Sequence, residues 1–251
     1  MNIYGIRKLT LLDYPDKTAC TLFTGGCNFR CPFCHNASLV QNRCEPMDIG
    51  ALRAFLLKRR GLLDGVCVTG GEPLMHGEIG GLLAEIKALG YAVKLDTNGA
   101  YPDKLQELIG QQLIDYVAMD VKSSPAGYAR AVGLHDIDIS PVNESIKLLI
   151  GGAVDYEFRT TAVKGLHTPE DFTAIGDWIA GAKRYFLQNY ADSGDILGAA
   201  ADGAAADGAA ADGAAADGAA ANFAPFGRLE LEQFLASVAP RVKFAALRGI
   251  D

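Results

Sequence analysis

No cysteine follows Cys67 in a chain of 251 residues, and all six fall within its first 67: Cys20, Cys27, Cys31, Cys34, Cys44 and Cys67. A disulfide framework spread over the fold would not be crowded into one quarter of the chain. With no export signal, these thiols are read as reduced. Also missing is any run of about 18 apolar residues without charge, so there is no candidate membrane span. The opening MNIYGIRKLTLLDYPDK lacks the uninterrupted apolar stretch of a signal peptide. The expectation is a cytoplasmic protein with no membrane partner. No basic block or arginine-rich helix occurs either, which argues against a nucleic-acid surface. The formal net charge is −7. Four of the aspartates behind it (Asp202, Asp207, Asp212, Asp217) sit in one low-complexity stretch, so the remainder is nearly balanced.

What is present is apolar material in a regular order. At 49% hydrophobic and 21% charged residues, the chain can bury one substantial core, and α/β barrels of this size are commonly single domains. Lys17 to Thr24 (KTACTLFT) reads as a buried strand ending at Gly25-Gly26. A helix follows at Asp48 to Lys58, then a strand at Gly65 to Thr69 stopped by Gly70-Gly71. The alternation goes on: helix Ile79 to Leu89, strand Ala92 to Asp96, helix Lys104 to Ile109, strand Tyr116 to Val121, helix Val142 to Ile150. Strand Tyr156 to Val163, helix Pro169 to Ala182 and strand Arg184 to Gln188 complete it. Repeated βα units favour a parallel sheet. About six are too few for a complete eight-stranded barrel, so the predicted fold is α/β, an open, partial (β/α)6 TIM-like barrel.

The predicted organisation is a barrel domain over residues 1–197, an insertion over 198–222, and a C-terminal helix and strand over 223–251 completing the same domain. The insertion repeats ADGAA. A glycine every five residues costs a helix ~1 kcal/mol each, and no large side chain is available to anchor it. It reads as a flexible surface segment rather than a solenoid.

The chemistry concentrates at Cys27-Asn28-Phe29-Arg30-Cys31-Pro32-Phe33-Cys34, a CxxxCxxC spacing in a loop after a strand. Closely spaced cysteines on such an excursion can each hold one iron of a cubane. The fourth iron then lacks a protein ligand, and an open position lets a metal bind substrate. Zinc, with His35 or Cys44 as fourth ligand, is the competing reading, but the paired spacings of ordinary zinc motifs are missing. Cys20 and Cys67 lie inside strands and read as small buried hydrophobes. At the end of the next strand stands Thr69-Gly70-Gly71-Glu72-Pro73. Two glycines allow close approach of backbone to a ligand, and a carboxylate beside them can accept from an ammonium group. By itself the segment could also be a plain strand-ending turn.

Taken in order, these two motifs resemble the radical S-adenosylmethionine (SAM) superfamily. The resemblance implies one 4Fe-4S cluster on Cys27, Cys31 and Cys34, and SAM bound at the open iron, with Gly70, Gly71 and Glu72 holding its amino group and Phe33 near its adenine. The continuations Cys34-His35-Asn36, Asp96-Thr97-Asn98-Gly99 and Asp120-Val121-Lys122 are similar to those of glycyl-radical-enzyme activating enzymes. The opening TLLDYPDKTACTLFTGGCNFRCPFCHN is closer still to activating proteins of anaerobic ribonucleoside-triphosphate reductase. This likeness runs from Ile6 to Gln188 and includes the ending Leu247-Arg248-Gly249.

The likeness implies His35, Asp96, Asn98, Lys122 and Arg159 as further cofactor-binding residues, and a glycyl-radical enzyme as protein substrate. It also implies reduced flavodoxin or ferredoxin as electron donor, and a monovalent cation near Asp96 and Asp120. Strand ends of a barrel converge on one mouth, so Glu72, Asp96, Asp120 and Arg159 are expected to share a site, unless they form ordinary strand-end ion pairs. A radical enzyme acting on a small molecule, such as a deazaguanine synthase, is the alternative that the His35-Asn36 continuation disfavours. Peptide-modifying radical enzymes carry further clusters in a C-terminal extension, which the cysteine-free remainder does not match. An electron-transfer protein would ligate all four irons and have no use for Thr69 to Pro73.

Overall fold

The computed structural model describes residues 1–192, 194–198 and 223–249. Short runs of β-branched and apolar residues such as GVCVTG become strands because both their faces are covered, which is the pattern of a parallel sheet. In chain order the elements are β1 (Ile3–Thr10), β2 (Ala19–Thr24), α1 (Ala37–Val40), α2 (Ile49–Arg59), β3 (Gly65–Gly70), α3 (Ile79–Ala88), β4 (Ala92–Thr97) and α4 (Pro102–Gly110). There follow β5 (Tyr116–Asp120), α5 (Tyr128–Val132), α6 (Ser140–Ile150), β6 (Asp155–Ala162), α7 (Pro169–Trp178), β7 (Tyr185–Asn189), α8 (Arg228–Val238) and β8 (Ala245–Arg248). Helix starts are locally encoded. Asp48 caps α2 by accepting from Gly50 N and Ala51 N, and Pro169 opens α7 behind Thr168, whose backbone N–H donates to Asp171 Oδ2 at 2.9 Å.

The eight strands form one sheet in sequence order. β1 runs antiparallel to β2, and every later pair is parallel. Six βα repeats run from β2 to α8, and β8 closes the series against β7. Among the described residues β1 and β8 pair on one side only, so the sheet is an open, partial barrel. The apolar layer between sheet and helices carries the stability. Val66, Val68, Val93, Leu95, Val117 and Met119 are fully buried, as are Leu83, Ile86, Leu105, Leu108, Phe172 and Ile175 from the helices. Each such side chain contributes about 1.5–3 kcal/mol of burial. Alternation along the strands sends Lys94, Asp96, Asp120, Glu157 and Arg159 to the other side, into the barrel. Barrel interiors are usually filled by bulky branched residues, so this polar filling points to a site.

Three elements escape the sequence pattern. β1 was not anticipated because it is an edge strand whose Arg7, Lys8 and Leu9 are exposed, which erases the two-residue alternation. α1 and α5 are four and five residues long, too short to show a helical period. The predicted seventh strand, over Val242 to Leu247, starts later, at Ala245, because Ala239–Arg241 forms a 3-10 turn first. Apart from Gly198, the ADGAA segment expected to be a flexible surface insertion lies outside the described residues.

Candidate active site

The loop after β2 and the turn after β3 are joined through backbone. Gly71 N donates to Thr24 O and Glu72 N to Gly26 O, both at 2.9 Å. Nothing larger than glycine fits there: a Cβ on Gly71 would lie 1.7 Å from Gly26 O, and Gly70 has φ +114 with Thr24 O 2.4 Å from where its Cβ would be. Asn36 Nδ2 donates to Gly70 O at 3.3 Å and His76 Nε2 to Gly25 O at 2.9 Å, tying the same turn from either side. The three-cysteine loop and the Gly-Gly-Glu turn are thus one structural unit.

From that unit the thiols of Cys27, Cys31 and Cys34 face a cavity of about 240 Å³ at the C-terminal ends of the strands, far larger than the voids close packing leaves in a core. Cys31 is buried, and burial pushes its thiol up to about 12. Burial also raises Cys27, partly offset by Phe29 N donating to its Sγ at 3.4 Å. Asn98 Nδ2 approaches the same sulfur at 3.8 Å and donates to Asn28 Oδ1 at 2.8 Å. Among the described residues no three Cys, His, Asp or Glu side chains gather round a single-ion position. A cubane takes one thiolate at each of three irons instead. Three soft, free thiols on one loop, one of them already accepting N–H donors, are a donor set that fits such a cluster.

Glu72 occupies the seam between β3 and β4. It is 1% exposed. Its Oε1 accepts from Leu74 N (3.0 Å) and Thr97 Oγ1 (2.8 Å), and its Oε2 from Asn98 N (2.7 Å). Burial pushes this carboxyl up to about 7 against those three bonds. Each oxygen retains acceptor capacity beyond them, enough for a cationic ligand group at the cavity.

Across the cavity stands a chain of opposite charges. Lys94 pairs with Asp96, Asp96 Oδ2 with Arg159 Nη1 (3.2 Å), Arg159 Nε with Asp120 Oδ1 (2.9 Å), and Asp120 Oδ2 with Lys122 Nζ (2.9 Å). Burial alone would raise both carboxyls, but Arg159 with Lys94 and Lys122 holds Asp96 and Asp120 below the ordinary range. Lys122 stays charged because Asp120, hydrogen-bonded to its Nζ, outweighs its burial. Three cations alternate with two carboxylates, leaving one positive charge in excess on the wall opposite the thiols.

All twelve residues singled out from sequence line this cavity: Cys27, Cys31, Phe33, Cys34, His35, Gly70, Gly71, Glu72, Asp96, Asn98, Lys122 and Arg159. Asp120 joins them. Glu72, Asp96, Asp120 and Arg159 share the one cavity, and Asp96 and Asp120 are also engaged in ion pairs there, whereas Glu72 meets only neutral donors. Cys20 and Cys67 are fully buried away from the cavity, though Cys67 Sγ lies 3.6 Å from Asp96 Oδ1 and 3.7 Å from Lys94 Nζ. Four contributors were missed, Lys94 of the charge chain among them. Gln188 and Thr161 line the cavity from β7 and β6, and only the rule that strand ends converge could have found them. His167 accepts from Val163 N at Nδ1 and donates from Nε2 to Lys122 O (2.9 Å), against the edge of Phe33. It supports the Lys122 turn, and no local motif marks it.

Comparison with known proteins agrees with this geometry. Residues 21–179 match the Radical SAM superfamily. A Methanocaldococcus jannaschii protein, provisionally named a glycyl-radical enzyme activating enzyme, is 31% identical over 75% of this chain and 79% of its own length. A 7-carboxy-7-deazaguanine synthase of Methanospirillum hungatei is 28% identical over 55% of each. The fold is similar to a domain of a pyruvate-formate lyase-activating enzyme from Bacteroides vulgatus, with TM-score 0.53 and 15% identity over 74% of this chain and 99% of that one. Among the described residues no helix is long and apolar enough to cross a membrane. With its three-cysteine loop welded to a Gly-Gly-Glu turn at the mouth of an open barrel, the chain belongs to the radical SAM superfamily of enzymes, which implies a 4Fe-4S cluster and SAM as its cofactors.

Proposed function

We propose that this enzyme is an activase: it holds the cluster on Cys27, Cys31 and Cys34 and generates a glycyl radical on a partner enzyme, with anaerobic ribonucleoside-triphosphate reductase as first candidate. Cys27, Cys31 and Cys34 would hold the cluster and the Gly70-Gly71-Glu72 turn would hold SAM, which together, given one electron from a flavodoxin or ferredoxin, would supply the radical chemistry that takes a hydrogen atom from the substrate. The residues have separable tasks. Cys27 Sγ is held by Phe29 N and Asn98 Nδ2, and Lys122 sets a positive charge against the thiolates of Cys31 and Cys34. Gly70 and Gly71 bring backbone close, and Glu72 offers a buried carboxylate to the SAM ammonium. Phe33, packed on His167, offers an apolar surface to adenine, while His35 and Arg159 flank the remaining polar groups. All four oxygens of Asp96 and Asp120 already face cationic donors, whose positive charge opposes a monovalent cation at the same place.

The observation that carries the chemistry is the weld between the two motifs, because it brings three thiols and the Glu72 turn to one cavity. The protein substrate is supported by likeness to an activating enzyme over 79% of that protein's length. Likeness to a deazaguanine synthase over 55% of its length supports a second reading, a small-molecule substrate. The test is anaerobic mixing of reduced enzyme, SAM and the reductase. A glycine-centred doublet in electron paramagnetic resonance, with 5'-deoxyadenosine formed, is expected. Nucleoside formed only with a small metabolite, and no doublet on any glycyl-radical enzyme, favours the second reading.

A further inference from the structure

After β7 the chain returns to the cysteine loop, and residues 195–198 bracket the two residues that follow it. Leu197 N donates to Cys34 O at 3.0 Å and Gly198 N to Pro32 O at 2.8 Å, with Gly198 so near that a Cβ would lie 2.6 Å from that oxygen. Beyond His35 and Asn36, Ala37 N donates to Asp195 O at 3.3 Å, and the Asp195 carboxylate accepts from Ser38 N at 3.1 Å and from Ser38 Oγ at 2.8 Å. Ile196 anchors the segment in the core. His35 and Asn36 are thus held at both ends by a strap, although Ser38 and Asp195 stand 157 positions apart.

The strap takes over a task that would fall to Asn36. Asn36 is the N-cap residue of α1, and an asparagine there ordinarily turns its side-chain oxygen to the amide two or three residues on. Here it makes no such bond. The Ser38 amide goes to Asp195 instead, and Asn36 Nδ2 donates to Gly70 O at 3.3 Å. Gly70 has no side chain by which the fold can hold it, and its carbonyl serves instead. On the reading that the Gly70-Gly71-Glu72 turn binds SAM, we propose that Asp195 is a positioning residue for that turn: by capping α1 in place of Asn36, it leaves the Asn36 amide to hold Gly70. Without Asp195, the Ser38 amide competes for the Asn36 side chain and loosens its grip on the turn. Iron ligation by the three cysteines needs no oxygen from Asp195, so iron loading and SAM binding are expected to separate.

The test compares Asp195→Ala with Asp195→Asn, which keeps an acceptor oxygen for Ser38, and with Asn36→Ala. In loaded protein the iron content is expected to match wild type in all three. The SAM dissociation constant rises about two- to tenfold in Asp195→Ala and Asn36→Ala, the range that one neutral hydrogen bond supplies, and stays near wild type in Asp195→Asn. Adding Asp195→Ala to Asn36→Ala costs no further affinity, because the first residue acts through the second. In iron-free protein the side-chain amide resonances of Asn36 move in Asp195→Ala and keep their place in Asp195→Asn. An unchanged dissociation constant in Asp195→Ala, additive losses in the double variant, unmoved Asn36 resonances, an Asp195→Asn as weak as Asp195→Ala, or lost iron each overturn the proposal. A wild type that takes up iron and binds no SAM overturns the reading of the turn as well, and is seen before any variant is compared.

Discussion

The two walls of the cavity are built on opposite principles. One is backbone and thiol: glycines packed at contact distance, carbonyls and amides exchanged between two loops, and three free thiols, that of Cys31 buried. The other is side-chain charge, running from Lys94 through Asp96, Arg159 and Asp120 to Lys122, with each carboxylate oxygen already paired. The first wall offers free thiols as donors to a ligand. The second pairs its charges internally, so it presents a fixed field to whatever the thiols hold.

The largest expected effect tests the thiol wall. Cys27→Ala, Cys31→Ala and Cys34→Ala each abolish SAM cleavage, measured as 5'-deoxyadenosine, whereas Cys20→Ala and Cys67→Ala retain it; activity in any of the first three breaks the contrast. The charge wall comes next. Arg159→Met leaves Asp96 and Asp120 with one cation each, and loss of one member of a buried pair costs about 3–5 kcal/mol. Urea unfolding is expected to report that loss while iron content stays near wild type.

Glu72, between the walls, gives a smaller effect with a sign that can be worked out. Its carboxyl keeps a proton up to about pH 7 when folded and loses it near 4.5 when unfolded. Its contribution is fully present below about pH 4.5 and is lost as pH rises through 7. Between those values, iron-free wild type is expected to lose about 3 kcal/mol relative to Glu72→Gln; a constant difference would mean that the carboxyl ionises normally. Smallest is Gly71→Ala, where a methyl meets Gly26 O. Overpacking of this kind costs about 2 kcal/mol, and because Gly26 leads into Cys27, slower iron uptake is expected alongside the lower urea midpoint.

How much of this was legible in the sequence differs between the walls for the same physical reason. The thiol wall is local: CxxxCxxC and Gly-Gly-Glu are contiguous, and their spacing alone announces their chemistry. The charge wall is assembled from residues on three strands, and although Asp96, Asp120, Lys122 and Arg159 could be placed at strand ends, their mutual pairing depends on register that no single segment encodes. Lys94 was overlooked because it sits inside an apolar strand, where alternation, not composition, turns it inward. His167 belongs to the support behind the site and carries no motif. β1 and the short helices were illegible because an exposed edge and a five-residue turn leave no periodic trace.

The central claim is that the thiol wall holds a 4Fe-4S cluster with one iron open to SAM. The most direct measurement is electron paramagnetic resonance of anaerobically reconstituted, reduced protein with and without SAM labelled with 15N in its amino group. The account predicts about four irons per chain, a reduced-cluster signal that changes on adding SAM, and a 15N coupling to the cluster. A signal indifferent to SAM, with no coupling to the label, would contradict it.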